Sequence, residues 1–225
     1  MSAILAEVLD EARSAGFLGP GPLDAQIRHA AGFARVARRL FEHDAGPTSE
    51  GPGERPPGLP AQVLDLGSGG GLPGLVVAEN WPEASVVLLE AQGRRAAFLG
   101  RAVAALGLGD RVAVRQVRAE EFGRDPGGRS RFDVVTARSF GPPGVVAECA
   151  APLLRTGGWL VVSEPPDQSD LESAQRWPAE PLARLGLRPG ERQRAAFGYR
   201  VLRQAEPCPE RFPRRNGVPA KRPLF

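Results

Sequence analysis

From residue 61 onward, short apolar runs alternate with stretches where apolar residues recur every three or four positions. Runs rich in Val, Leu and Phe and bounded by Gly, Pro or Asp predict strands at about 62–67, 85–91, 112–117, 132–137 and 159–163. Helical spacing predicts helices over 72–80, 94–106, 145–154 and 171–185. Strand–helix alternation of this kind calls for a parallel sheet covered on both faces by helices. The segment 190–204 predicts a closing antiparallel hairpin.

Ahead of this domain the chain reads as helical to about residue 43. Between Asp24 and Phe41 the apolar residues Ala30, Phe33, Val36, Ala37, Leu40 and Phe41 share one helical face. Arg28, Arg35 and Arg39 fall in a narrow arc on the opposite side. That stripe is either a solvated helix face or a surface for phosphates. Residues 45–60 are rich in Gly and Pro, carry little apolar content and predict a flexible connection. The expected organisation is a helical extension (1–44), a linker (45–60), the α/β domain (61–205) and a proline-rich basic tail (206–225). The tail carries Arg211, Arg214, Arg215, Lys221 and Arg222.

Composition narrows the setting. No apolar run reaches the roughly 18 residues needed to span a bilayer, and the first ten residues carry Glu7 and Asp10 but no basic run, so neither a membrane span nor a secretory signal is expected. Two cysteines, Cys149 and Cys208, cannot build a disulfide framework or a zinc site, so free thiols and a cytoplasmic location are expected, with no metal. The chain has 29 Lys plus Arg, of which Lys221 alone is lysine. A GC-rich coding bias accounts for the overall excess of arginine; clustering is what matters for nucleic acid. A monomer is expected.

The stretch Val63-Leu64-Asp65-Leu66-Gly67-Ser68-Gly69-Gly70-Gly71-Leu72-Pro73-Gly74 carries the first chemistry. A buried strand runs into glycines that let a ligand approach the backbone and permit positive φ, and a helix follows. Ligands of such sheets bind beyond the carboxyl ends of the strands. The next strand ends in Glu90, about twenty residues on, where a carboxylate can accept both hydroxyls of a ribose. Gly69, Gly71 and Gly74 formally satisfy the dinucleotide fingerprint, which brings in NAD. The tight turn, however, falls at Asp65-Leu66-Gly67-Ser68-Gly69, and an acid two residues before the first glycine resembles the first motif of class I methyltransferases. Pro73 makes a pyrophosphate site less suitable, and little chain remains for a dehydrogenase's second unit. S-adenosylmethionine is therefore the expected cofactor, on a doubly wound, seven-stranded, Rossmann-like class I methyltransferase sheet.

Further residues follow the same template. Ala119-Glu120-Glu121, after the third strand, is either an adenine contact or a helix start with acids at its dipole. Arg138, in Thr136-Ala137-Arg138-Ser139 at the end of the fourth strand, faces the cofactor's methyl group or pairs with Glu90 or Asp65. The expected cofactor contacts are Asp65, Gly67, Ser68, Gly69, Gly71, Leu72, Glu90, Ala119, Glu120 and Arg138, with Arg138 also the catalytic-site residue. Amino-directed methylation is usually served by an Asn/Asp-Pro-Pro-aromatic motif after the fourth strand, and 136–140 has none. Ser163-Glu164-Pro165-Pro166 follows the fifth strand instead. Pyrimidine carbon methylation needs a cysteine nucleophile, and neither Cys149 nor Cys208 is well placed. A ring nitrogen such as guanine N7 already carries a lone pair, so positioning and charge stabilisation suffice.

These residues resemble the ribosomal RNA small subunit methyltransferase G family. The resemblance rests on Asp65 to Gly74 with its Gly-x-Pro-Gly continuation, on Leu89-Glu90-Ala91 with Arg94-Arg95-Ala96-Ala97-Phe98-Leu99, and on Thr136-Ala137-Arg138-Ser139-Phe140. It extends to the tail, Phe212-Pro213-Arg214-Arg215-Asn216-Gly217-Val218-Pro219-Ala220-Lys221-Arg222-Pro223-Leu224, and weakly to 16–29, where Arg28-His29 resembles an Arg-His pair. The resemblance implies methylation of guanine N7 in small-subunit (16S) ribosomal RNA, with ribosomal RNA or the small subunit as partner. RNA contacts are then expected at Arg28, Arg35, Arg39, Arg214, Arg215 and Lys221. The fifth strand departs from the family by ending in Ser163-Glu164 rather than Lys-Gly, and the family's Trp-Asn, Asn-Leu-Thr and Asp-Ser stretches near the N-terminus are missing. A diverged methyltransferase of small molecules and a non-enzymatic RNA-binding relative remain the alternatives.

Overall fold

The structure is a computed structural model that describes residues 2–45, 60–165, 169–194 and 197–225. Residues 46–59, most of the expected linker, lie outside the described residues. Five strands run parallel: β1 (Gln62–Leu66), β2 (Ser85–Leu89), β3 (Val112–Arg115), β4 (Phe132–Ala137) and β5 (Leu154–Glu164). The short β6 (Leu187–Pro189) and β7 (Gln193–Arg194) both pair antiparallel with β8 (Gly198–Gln204), which pairs antiparallel with β5. The order is β3-β2-β1-β4-β5-β8-β6. Because β6 and β7 lie along the same strand, they form one interrupted edge, and the expected seven positions are filled. The order reverses between β1 and β4, which opens a crevice at their carboxyl ends.

Alternation along the strands sends side chains to two cores. Val63, Val86, Leu88, Val112, Val134 and Val161 meet the helices α1 (Ala3–Ser14), α2 (Leu23–Ala45), α3 (Gly74–Asn80) and α4 (Gly93–Ala105) on one face. Leu64, Leu66, Leu89, Val135, Leu160 and Val162 meet α6 (Pro143–Ala150) and the Trp177–Leu182 region on the other. The short α5 (Ala119–Phe122) follows β3, and α9 (Val218–Lys221) lies in the tail.

Two expectations are corrected. The helix expected over 171–185 is two helices, α7 (Asp170–Arg176) and α8 (Ala179–Ala183), because Pro178 lacks an N–H and holds Trp177 out of the helical region at φ −124° and ψ 66°. The helix expected to reach 154 ends at Ala150; Leu154 already pairs with Phe132, and β5 starts five residues before Trp159 through a register shift. The N-terminal region, expected to be helical, consists of α1 and α2 separated by a turn in which Gly16 and Gly21 take φ of +71° and +112°.

α2 seats closely on the sheet. A Cβ at Gly32 would lie 1.8 Å from the Tyr199 hydroxyl, so only glycine admits the ring, whose hydroxyl donates to the His29 carbonyl at 2.7 Å. His29 stacks on Phe197 with ring centroids 4.7 Å apart and lies beside Phe33. Burial, and next the nearby Arg138 charge, hold its imidazole down at about 4.

Candidate functional site

The crevice carries two cavities that meet at Gly67, Arg95 and Ser139. One, of about 350 Å³, is walled by Gly67, Ser68, Gly69, Gly70 and Leu72 on one side and by Gly16, Phe17, Leu18 and Gly19 on the other, with Arg138 between. The second, of about 210 Å³, is lined by Glu90, Ala91, Gln92, Val117 and Ala119. Together they form the kind of elongated, partly polar cleft that takes a nucleoside with a tail.

The glycine loop is built by the ends of β1 and β2. The N–H groups of Gly67 and Ser68 both donate to the Leu89 carbonyl, at 2.9 and 3.0 Å. Gly67 and Gly69 take φ of +72° and +54°, and a Cβ on Gly67 would stand 2.5 Å from the Phe140 ring. Glu90 is buried; one carboxylate oxygen accepts from Gly69 N at 3.0 Å and the other from Gln92 N at 2.8 Å. Two backbone donors fix the carboxylate on the cavity wall, and its remaining lone pairs suit paired hydroxyls.

Asp65 is placed differently from expectation. Its carboxylate lies beneath the loop, 1% exposed, accepting from Thr136 Oγ1 at 2.8 Å and from Gly74 N at 3.1 Å. It ties β1, β4 and the start of α3 together, and burial raises it to about 6 against those hydrogen bonds and the Arg138 charge. Gly71 is also off the wall, packed on Leu75. Glu120 points to the tail, accepting from Gly217 N at 2.8 Å, so of the 119–120 pair Ala119 alone lines the cleft.

Arg138 donates through Nη2 to Gln26 Oε1 at 2.8 Å, a carboxamide rather than Glu90 or Asp65. Its guanidinium is mostly buried, and that burial lowers its pKa against the pull of Asp65. The next residue, Ser139, sits at φ +54°, a conformation that costs a non-glycine residue roughly 1–2 kcal/mol. The turn thereby lays Phe140 across Gly67 and keeps Arg138 facing the cavity.

The expected RNA contacts divide. Arg28, Arg35, Arg39, Arg215 and Lys221 are exposed. Arg214 is not a free cation: its backbone N–H, Nε and Nη2 all donate to the fully buried Glu148 carboxylate, at 2.9, 2.8 and 2.5 Å. The weak resemblance over 16–29 gave no site role to the turn carrying Phe17 and Gly19, although Gly16, Gly19, Pro20, Gly21 and Pro22 are a turn signal. Nor did the motif containing Arg95 signal that this residue lines both cavities. Among the described residues no group of His, Cys, Asp and Glu could hold a metal, no helix is long and apolar enough to cross a membrane, and Cys149 and Cys208 are buried free thiols.

Sheet order, the reversal between β1 and β4 and the glycine-loop cleft define a class I methyltransferase fold. Solved structures share it: an O-methyltransferase from Bacillus cereus in complex with SAH superposes with a TM-score of 0.60 at 15% identity, covering 90% of each chain. A methyltransferase from Geobacter sulfurreducens gives 0.59 at 14% identity, covering 92% of this chain and 90% of its own. Sequence narrows the class. The family model for rRNA small subunit methyltransferase G matches residues 56–175. A protein of that name from Prochlorococcus marinus is 41% identical over 169 residues, 73% of this chain and 68% of the relative. One from a Thermotoga strain is 40% identical over 174 residues, 74% of this chain and 73% of the relative. The chain belongs to the rRNA small subunit methyltransferase G family.

Proposed function

We propose that this protein transfers the methyl group of S-adenosylmethionine to N7 of a guanine in small-subunit ribosomal RNA. The observation that carries the reading is the pairing, within one cleft, of a backbone-held Glu90 with a mostly buried Arg138, in a chain of this family. When bound, the cofactor supplies a methyl group on a positively charged sulfur. The residues present fit it: Glu90 would accept the ribose hydroxyls, Ala119 and Val117 would flank the adenine end, and Gly67, Ser68 and Gly69 would allow close approach to the backbone at the other. Asp65 supports that loop from below rather than touching the ligand.

The target nitrogen needs orientation, not deprotonation, because its lone pair is free at neutral pH. Arg138 lines the cleft, and a half-buried guanidinium there would orient the base or its phosphate. Arg28, Arg35, Arg39, Arg215 and Lys221 supply exposed charge for the backbone phosphates.

The Ser163-Glu164 ending of β5, one of the departures that left a small-molecule substrate as an alternative, holds its carboxylate inside the fold. Glu164 is 5% exposed, accepts from Ser173 Oγ at 2.5 Å and Trp177 Nε1 at 2.8 Å, and lies 3.5 Å from Arg192. The test is equilibrium binding of S-adenosylmethionine together with methyl transfer to small ribosomal subunits lacking base methylation. Cofactor binding with transfer to RNA is expected; cofactor binding with transfer only to metabolites in an RNase-treated extract overturns the RNA assignment.

A further inference from the structure

Gln26 is a polar side chain only 6% exposed, one turn into α2, and every polar atom of its carboxamide is used at the cleft. Oε1 accepts from Arg138 Nη2 at 2.8 Å, across 112 residues of sequence. Nε2 donates to the Gly19 carbonyl at 2.9 Å and leans on that of Gly21 at 3.4 Å. Gly19 belongs to the wall that faces the glycine loop; in that wall Leu18 covers Gly70, and Phe17 packs edge-on against Phe98 with Arg95 over its ring. One side chain thus joins the outer wall of the cleft to the arginine at its centre.

We infer that Gln26 is a positioning residue that holds Arg138 and the wall turn at 16–21 in one arrangement without adding a second anion to the one, Asp65, that already acts on Arg138. This rests on the function proposed above. The choice of amide over acid has a physical consequence. A carboxylate at this place would accept the same hydrogen bond but neutralise the guanidinium, removing its attraction for an anionic substrate. An amide orients the cation without a hydrogen-bonded counter-charge, so the guanidinium stays available to an anion in the cavity. The amide also donates, which a carboxylate cannot do, so the wall turn would lose its anchor.

Three variants separate these roles. Gln26→Met keeps the volume and removes both bonds; Gln26→Glu keeps the acceptor, neutralises Arg138 and removes the donor; Arg138→Ala removes the partner. Single-turnover methyl transfer to small subunits at saturating cofactor is measured for each, and for Gln26→Met combined with Arg138→Ala. Gln26→Met is expected to slow transfer by about tenfold, and the double variant to be within about twofold of Arg138→Ala alone, because the amide acts on the base through that arginine. Gln26→Glu is expected to flatten the salt dependence of RNA binding. Multiplicative losses in the double variant, or a Gln26→Met enzyme as fast as wild type, overturn the inference. Should Gln26→Met fail to fold, the decision falls to Gln26→Glu: an unchanged rate and salt slope overturns the inference equally. If the wild type labels no RNA, the substrate reading has failed, and the wall anchor is tested by cofactor affinity, which Gln26→Met must weaken several-fold; an unchanged affinity overturns it.

Discussion

Arg214 closes on Glu148 with both edges of a fork, Nε to Oε1 at 2.8 Å and Nη2 to Oε2 at 2.5 Å, where the carboxylate has no solvent exposure at all. The pair pins the tail to α6, and the tail in turn meets α5 through Gly217 and Glu120. Removing one partner strands a buried charge. Arg214→Ala is therefore expected to destabilise the fold by about 3–5 kcal/mol in urea unfolding. A loss of RNA affinity with unchanged stability would assign Arg214 to the substrate instead.

Arg215 and Lys221, one and seven residues past that anchor, are exposed. Alanine at either is expected to leave the unfolding midpoint unchanged and to weaken RNA binding, lowering the slope of log affinity against log salt by about 1 each. The slope is read from filter binding at several salt concentrations; an unchanged slope removes that residue from the interface.

Glu90→Gln tests the cofactor end. The substitution keeps the shape of the side chain but removes the charge and replaces one acceptor, disturbing the grip on Gly69 and on the ribose hydroxyls. Charge-assisted hydrogen bonds of this kind are worth about 1.5–3 kcal/mol, so calorimetry is expected to show S-adenosylmethionine binding weakened roughly 10- to 100-fold. Wild-type affinity would move the ribose elsewhere in the cleft.

How far the sequence reveals these features depends on their range. The glycine loop and Glu90 were legible because strand, turn and carboxylate are set by local spacing, and Arg138 because it ends the next strand of the switch point. Gln26 was not, since its role arises from a contact across 112 residues and nothing in its own neighbourhood signals burial of an amide. Arg214 looked like one basic residue among several; only the packing of α6 shows that Glu148 faces inward beneath it. Asp65 was found, but motif spacing does not tell that its carboxylate bonds Thr136 and Gly74 under the loop. The break at Trp177 was readable from Pro178 and was overridden by the apolar spacing on either side.

His29 makes stability depend on pH. Its folded value of about 4 lies below the ordinary 6.5, so between those limits an unfolded chain takes up a proton that the folded chain refuses. Stability is thus lost as pH falls from 6.5 towards 4. Asp65, raised to about 6 from 3.8, acts in the opposite sense, since its folded form takes the proton first. His29→Phe removes the first effect and keeps the second. Its melting temperature is expected to drop less than that of wild type between pH 7 and pH 5, by about 2–4 °C after allowing for the ring's partial exposure. Parallel melting curves would show that the imidazole is free to ionise in the fold.

The most direct measurement is transfer of labelled methyl from S-adenosylmethionine to small ribosomal subunits lacking base methylation, with wild type and Arg138→Ala side by side and the product nucleoside identified. Label recovered as 7-methylguanine, and reduced about 10²- to 10³-fold in Arg138→Ala, is the predicted result. Label on another nucleoside, or none despite demonstrable cofactor binding, would contradict the account.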